Sequence, residues 1–249
     1  MQESKIFQIR PVPETGSTND DAARLLGEPG GEGVVLTADY QRAGRGRRAR
    51  GWIAPAGSSL LFTAILPRTL ATADLWAVPF WTALGVAEGI ERACGVRIDL
   101  QWPNDLLLGG RKCCGILCIS RVAGERAWAG CGVGLNVLRP AADDRTLEEV
   151  SPPPAFLSDH RPAERGAVLD AILAAFTRRL RELDTPGAIA REWEARAGLA
   201  GTPYRLLVDG SSEPFEAVAQ SIAPDGGLIV IHDGRERTIA LADARVLRA

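Results

Sequence analysis

Residues 41–52 read QRAGRGRRARGW and place five arginines (Arg42, Arg45, Arg47, Arg48 and Arg50) and three glycines between a glutamine and a tryptophan. The 249-residue chain as a whole is slightly acidic, with a formal net charge of −2. The positive charge is therefore a local device rather than part of a general basic surface, and the slight acidity argues against a general nucleic-acid binder. Guanidinium groups hold carboxylates and phosphates through paired hydrogen bonds, and glycines let backbone N–H groups come close to an anion. The stretch lacks the GK[ST] of a Walker A loop and is not a G-x-G-x-x-G turn. It lies between two apolar runs that read as strands, GVVLTADY (33–40) and SSLLFTAIL (58–66). A loop between core strands is placed for a small anionic ligand such as a nucleotide, more than for the flexible RNA contacts of an RGG-like tail.

Composition narrows the class. Hydrophobic residues make up 46% of the chain, ample for a buried core. No apolar run reaches the roughly 18 residues of a membrane span, and no signal peptide opens the chain. A cytoplasmic protein is expected, with no membrane partner. The five cysteines (Cys94, Cys113, Cys114, Cys118 and Cys131) lack C-x-x-C spacing, and they read as small buried apolar residues. Lysine occurs twice, at Lys5 and Lys112, and asparagine three times, at Asn19, Asn104 and Asn136. In so arginine-rich a chain, Lys112 stands out.

Further along, apolar spacing predicts a helix over 74–94, capped by Asp74 and with Pro79 near its start. A strand is expected at 96–102. The runs 115–120 and 127–137 are expected to form a hairpin through RVAGER. Residues 139–162 read as loop. Helices are expected at 162–183 and 186–197. Beyond residue 198, short strands separated by Asp-Gly and Gly-Gly turns suggest a small β barrel of SH3-like size. The fold class is α+β, a mixed sheet with flanking helices over 1–198 and a small barrel over 199–249. The lack of strict β-α-β alternation argues against a doubly wound parallel sheet.

Two more stretches carry chemistry. In QWPNDLLLGGRKCCGIL (101–117), Asp105 follows a strand end and can hold Mg²⁺ or orient a phosphate-linked group. Lys112 precedes a strand, where a compact charge can stabilise a forming acyl-phosphate. A solvated turn with an Arg-Lys pair is the plainer alternative for this stretch. Together, STND (17–20), ADYQRAGRGRRARGW (38–52), QWPNDLLL (101–108), GRKCCGIL (110–117) and GVGLNV (132–137) resemble the biotin protein ligases in order and spacing.

That resemblance implies a class II synthetase-like catalytic domain followed by an SH3-like domain. It also implies a two-step reaction, in which biotin and ATP form biotinyl-5′-AMP and the biotinyl group then passes to a lysine of the biotin carboxyl carrier protein. By matching position, Ser17, Thr18 and Asn19 line the biotin site, Gln41 contacts the biotin head, and Gly115 lets the strand backbone approach. Arg45, Gly46 and Arg47 close over biotin and the adenylate phosphate, with Arg47 among the catalytic residues. Lys112 binds the carboxylate and α-phosphate oxygens. Asp105 is the candidate for Mg²⁺ or the acceptor amine. Trp52 is the candidate platform for adenine and Asn136 for its amino edge, with Arg50 also on the nucleotide. Ala49 stands where the family's motif has glycine, and Gly51 where Lys or Arg is common. Too few residues precede STND for a helix-turn-helix, so a ligase that is not a DNA-binding repressor is expected, and a homodimer is possible. Residues 42–50 are expected to be mobile in an empty site. A lipoate-type ligase and a non-catalytic binding module are the alternative functions.

Overall fold

The structure is a computed structural model that describes residues 6–141, 144–148, 150–209, 211–241 and 244–247. An eight-stranded mixed sheet carries the first part of the chain. Its strands are β1 (Gln8–Thr15), β2 (Val34–Gln41), β3 (Ser59–Ile65), the two-residue β4 (Leu70–Ala71), β5 (Asp99–Gln101), β6 (Asp105–Leu108), β7 (Arg111–Ala123) and β8 (Arg126–Asn136). Their order is β1-β2-β3-β8-β7-β6-β5, with β4 also on β8. Only β1 and β2 run parallel. Four α-helices accompany it: α1 (Thr18–Ala23), α2 (Val78–Cys94), α3 (Arg165–Arg179) and α4 (Pro186–Ala197). A five-stranded antiparallel sheet ends the chain: β9 (Pro203–Val208), β10 (Phe215–Ile222), β11 (Leu228–His232), β12 (Arg235–Ile239) and β13 (Ala244–Val246). The mixed sheet with flanking helices and the small C-terminal β unit are those read from the sequence.

Alternation along the strands separates two faces. On β3, Leu60, Phe62 and Ala64 enter the main core, as do Cys131, Val133 and Leu135 on β8. Helices α2 and α3 close that core, with Trp81 against Phe176 at a ring separation of 4.7 Å. The opposite face carries α1 and a small cluster of Ala22, Leu26, Val34 and Ile65. That leaves much of the second face of β7 and β8 free to floor a site.

Several boundaries differ from expectation. Residues Thr72–Ala77 form 3-10 turns, and α2 starts at Val78, so Asp74 does not cap it. Pro79 explains the start, since the first turn of a helix is where a missing N–H costs nothing. Helix α3 ends at Arg179 and tightens into 3-10 geometry over Leu180–Asp184. The strand expected at 96–102 shrinks to β5, whereas 115–120 lengthens into β7.

β1 and α1 were not foreseen. Pro11 and Pro13 make β1 read as loop, yet they suit its place at the sheet edge. Gln8 donates its N–H to Gly33 across the β1–β2 ladder. Strand alternation then turns residues 11 and 13 outward, where proline removes the donors that a foreign strand would need.

The cysteines behave as apolar residues. Cys94, Cys113, Cys114 and Cys131 are buried, and all five are free thiols. Cys118 and Cys131 face each other across β7 and β8. Burial pushes the Cys113 thiol from 9.0 up to about 12 and raises Cys114 as well, while Cys118 is raised first by its hydrogen bond with Cys131 and then by burial. The native thiols should therefore resist iodoacetamide at pH 8 until denaturant is added. The unfolded chain gives up these protons near pH 9, whereas the folded one holds Cys113 to about 12. Stability should be intact below pH 9 and fall between 9 and 12, by about 1.4 kcal/mol per pH unit for each such thiol. Denaturation midpoints measured across that range check the slope.

Candidate active site

The segment GCGVGLN (130–136) sets the floor. Its Cys131, Val133 and Leu135 go to the core, so Gly130, Gly132, Gly134 and Asn136 share the other face. On β7, Gly115 lies opposite Gly134, and Leu117 opposite Gly132. A Cβ at Gly134 would sit 2.5 Å from the Trp52 indole, and one at Gly132 would sit 2.2 Å from Asn19 Oδ1. These two glycines are bare because side chains from α1 and from the 41–52 loop lie directly on the sheet.

At one end of the floor is a buried polar network. Ser17, Thr18 and Asn19 are at most 6% exposed. The Thr18 N–H donates to Gln41 Oε1 over 2.7 Å, and the Thr18 hydroxyl donates to the same oxygen over 3.1 Å. Gln41 Oε1 is thus fixed as an acceptor, and its NH₂ is the group left for other partners. Asn19 Nδ2 donates to the Leu117 carbonyl over 2.9 Å. Thr63, fully buried on β3, joins the set: its hydroxyl donates to Asn19 Oδ1 at 2.7 Å and lies 2.9 Å from Thr18 Oγ1. Sequence reasoning missed Thr63, which looked like filler in an apolar strand. Its place on the same face as Gly132 was the available signal.

The other end is charged. Lys112 opens β7 and sets its Nζ 2.6 Å from Asp105 Oδ1 on β6. The same ammonium lies 5.5 Å from the Trp52 ring centre, a cation–π contact. The arginine loop is a small hairpin, with Gly46 N–H bonded to Arg50 O at 2.7 Å and Trp52 N–H to Gly44 O at 2.8 Å. Arg45 pairs with Asp20 at 2.9 Å. Arg47 donates to the Leu241 carbonyl, and Arg48 pairs with Asp209, residues in turns that follow β12 and β9. Burial lowers the Arg47 pKa, and Asp105 nearby works against that loss of charge. Arg48 is a left-handed residue of the loop, at φ 59°. A Cβ at Gly51 would touch nothing closer than 3.9 Å, so the space there does not demand glycine.

Ser17, Thr18, Asn19, Gln41, Arg45, Gly46, Arg47, Arg50, Trp52, Asp105, Lys112, Gly115 and Asn136 all line one cavity of about 490 Å³. That size suits a small acid together with a nucleotide. Ser59, a second residue the sequence did not flag, donates to Asn136 Oδ1 over 3.3 Å and so sets which end of that amide meets a ligand. Trp52 Nε1 is buried with no hydrogen-bond partner among the described residues, a donor waiting for an acceptor. Asp105 is engaged by Lys112, and among the described residues no group of three or more His, Cys, Asp or Glu is placed to hold a metal ion. One carboxylate so engaged does not make a protein-held Mg²⁺ site; it suits an ion carried in on phosphates.

The arrangement joins a neutral hydrogen-bonding pocket to a cationic end through one lysine, over a floor cleared of side chains. Proteins of known activity share its sequence and fold. The biotin/lipoate A/B protein ligase family matches residues 14–136. A biotin–[acetyl-CoA-carboxylase] ligase of Paracoccus denitrificans is 34% identical over 241 residues, 93% of this chain and 98% of that one. One from Mycobacterium tuberculosis is 30% identical, across 97% of this chain and 90% of its own length. The structure of a biotin protein ligase from Aquifex aeolicus, in complex with biotin and ATP, superposes with a TM-score of 0.76 at 20% identity, covering 97% of this chain and 99% of that one. With relatives this similar over nearly their whole length, the chain belongs to the biotin/lipoate A/B protein ligase family, on its biotin protein ligase branch.

Proposed function

We propose that the chain is an ATP-dependent biotin protein ligase of the cytoplasm. The observation that carries this reading is the placing of Lys112 where the neutral pocket meets the arginine loop, in one cavity. The head of biotin sits among Thr18, Asn19 and Gln41, with Ser17 beside them. A carboxylate oxygen of biotin attacks the α-phosphorus of ATP. The bond from that phosphorus to the bridging oxygen breaks, and pyrophosphate leaves with the electron pair. A carboxylate is already ionised at neutral pH, so neutralising charge matters more than removing a proton. Lys112 and Arg47 supply that neutralisation, and Arg45 and Gly46 help close the loop over the adenylate. Adenine stacks on Trp52 and meets Asn136 at its edge, with Arg50 nearby. Mg²⁺ carried on the nucleotide's phosphates would add to that charge neutralisation.

In the second step a lysine amine of the biotin carboxyl carrier protein attacks the acyl carbon, an amide forms, and AMP departs. Asp105 is placed to receive that amine once Lys112 has turned to the phosphate. Residues 1–198 form the catalytic unit and 199–249 the SH3-like unit.

ATP–pyrophosphate exchange, run with biotin and separately with lipoate, tests the reading. Exchange with biotin alone supports it. Exchange with lipoate alone moves the chain to the lipoate side of the family, and none with either acid leaves a binding protein. Within the biotin pocket, Thr63→Val keeps the shape and deletes the hydroxyl on which Asn19 and Thr18 depend. A buried polar group left short of a partner costs about 1–3 kcal/mol. The KM for biotin should rise about tenfold or more, with the KM for ATP unchanged.

A further inference from the structure

The arginine loop is an arm held at both ends. Its base is a bridge between Arg45 and Gly51, and Arg45 pairs with Asp20, the neighbour of Asn19 in the neutral pocket. Its tip meets the C-terminal unit, where Arg47 reaches the Leu241 carbonyl and Arg48 reaches Asp209. Val246 and Leu247 of that unit line the same cavity as the arm. The tip does not favour this position by itself. Five arginines over 42–50 repel one another, and after burial the neighbouring Arg48 and Arg50 also weigh against the charge on Arg47. Arg48 is held at φ 59° and ψ 44°, a left-handed conformation that a long side chain rarely adopts. A strained, self-repelling tip stays down only when something outside it holds it there. Asp209, on the turn after β9, carries the opposite charge and sits against Arg48.

We propose that Asp209 is a positioning residue for the reaction: acting through Arg48, it latches the arginine loop shut and so keeps Arg47 over the adenylate. The proposal rests on the ligase reading above. It divides the labour of two adjacent arginines. Arg47 turns its charge to the phosphate, and Arg48 serves the loop itself. The latch is weak by construction, since the Arg48 and Asp209 side chains are 32% and 54% exposed. A pair so placed contributes little and is screened by salt. That suits a lid that has to admit biotin and ATP and release AMP in every turnover. The C-terminal unit thus acts on the first half-reaction, before any carrier protein arrives.

The test compares the wild type with Asp209→Asn, Asp209→Glu, Arg48→Gln and the double variant Arg48→Gln with Asp209→Asn. Two rates are read: amide hydrogen exchange of residues 41–52 without substrates, and escape of biotinyl-5′-AMP into solution without carrier protein. Asp209→Asn should speed both by up to about fivefold, the range of a half-exposed ion pair. Arg48→Gln should do the same, and the double variant no more than either, because both remove one interaction. Asp209→Glu keeps the charge and should stay close to the wild type. Raising the salt concentration should speed loop exchange in the wild type and leave Asp209→Asn unchanged. Unchanged loop exchange in Asp209→Asn overturns the proposal, as do additive effects of the two substitutions. Faster exchange throughout β9–β13 overturns it too, by marking a structural role. A faster loop with unchanged escape of the adenylate shows that the latch does not serve the reaction. If the wild type forms no biotinyl-5′-AMP, the parent reading is at fault. Loop exchange and its salt dependence use no substrate, and they then decide by themselves whether Asp209 holds the loop.

Discussion

Lys112→Ala is expected to lower biotin-dependent ATP–pyrophosphate exchange by about 10²–10³-fold, the range seen when one preorganised charge-stabilising group is lost. Two effects add. The ammonium that meets the carboxylate and α-phosphate oxygens disappears. Asp105, no longer neutralised by the ammonium 2.6 Å away, adds its negative charge beside two anionic substrates. Lys112→Ala with Asp105→Ala separates these effects: the double variant should recover biotin and ATP binding without recovering the rate. Lys112→Arg keeps a charge but replaces a compact ammonium with a wide planar fork. It should bind substrates and turn over slowly. Exchange by Lys112→Ala within threefold of wild type would remove the lysine from the chemistry.

Gly134→Val carries the second largest expected effect. Its Cβ would fall 2.5 Å from Trp52 Cε2 and 2.8 Å from Cδ2, and valine adds two further methyl groups. The strand cannot yield, because Gly134 is paired on both sides, with Leu61 on β3 and Gly115 on β7. The indole has to leave. Overpacking of this kind costs about 1–3 kcal/mol, which corresponds to roughly 5–150-fold weaker nucleotide binding if Trp52 is the adenine platform. Biotin binding in the Thr18–Gln41 pocket should change less. Tryptophan emission should shift to the red as the indole enters water, and Trp52→Phe in the same background identifies the reporter. An unchanged KM for ATP with a displaced indole would show that adenine rests elsewhere.

Much of the site could be read in advance because its signals are local. Lys112 stood out against a background of arginine, and the 41–52 arginines against an acidic chain. The glycine alternation of 130–136 marks a bare sheet face, provided the core-facing residues between are recognised. Other parts depend on partners distant in sequence. Thr63 and Ser59 matter through Asn19 and Asn136, 44 and 77 residues away. Asp209 and the Leu241 carbonyl meet the arginine loop from the far end of the chain, and no short pattern marks either one. β1 was hidden by its own prolines, and α1 by its length of six residues, too short for a helical period to show.

The two contacts from the arginine loop to the turns of the C-terminal unit differ in how they survive evolutionary drift. Arg47 holds a backbone carbonyl, which every residue supplies, so position 241 can change freely and keep that tie. Arg48 holds the Asp209 side chain, which a single substitution removes. A chimera that joins residues 1–198 to the last segment of a relative inherits the first tie automatically and the second only when the donor carries a carboxylate at the matching place. The Arg48–Asp209 pair is thus a point of co-inheritance between the two ends of the chain, and compatibility of a grafted C-terminal segment is tested there as well as in the sheet's own core.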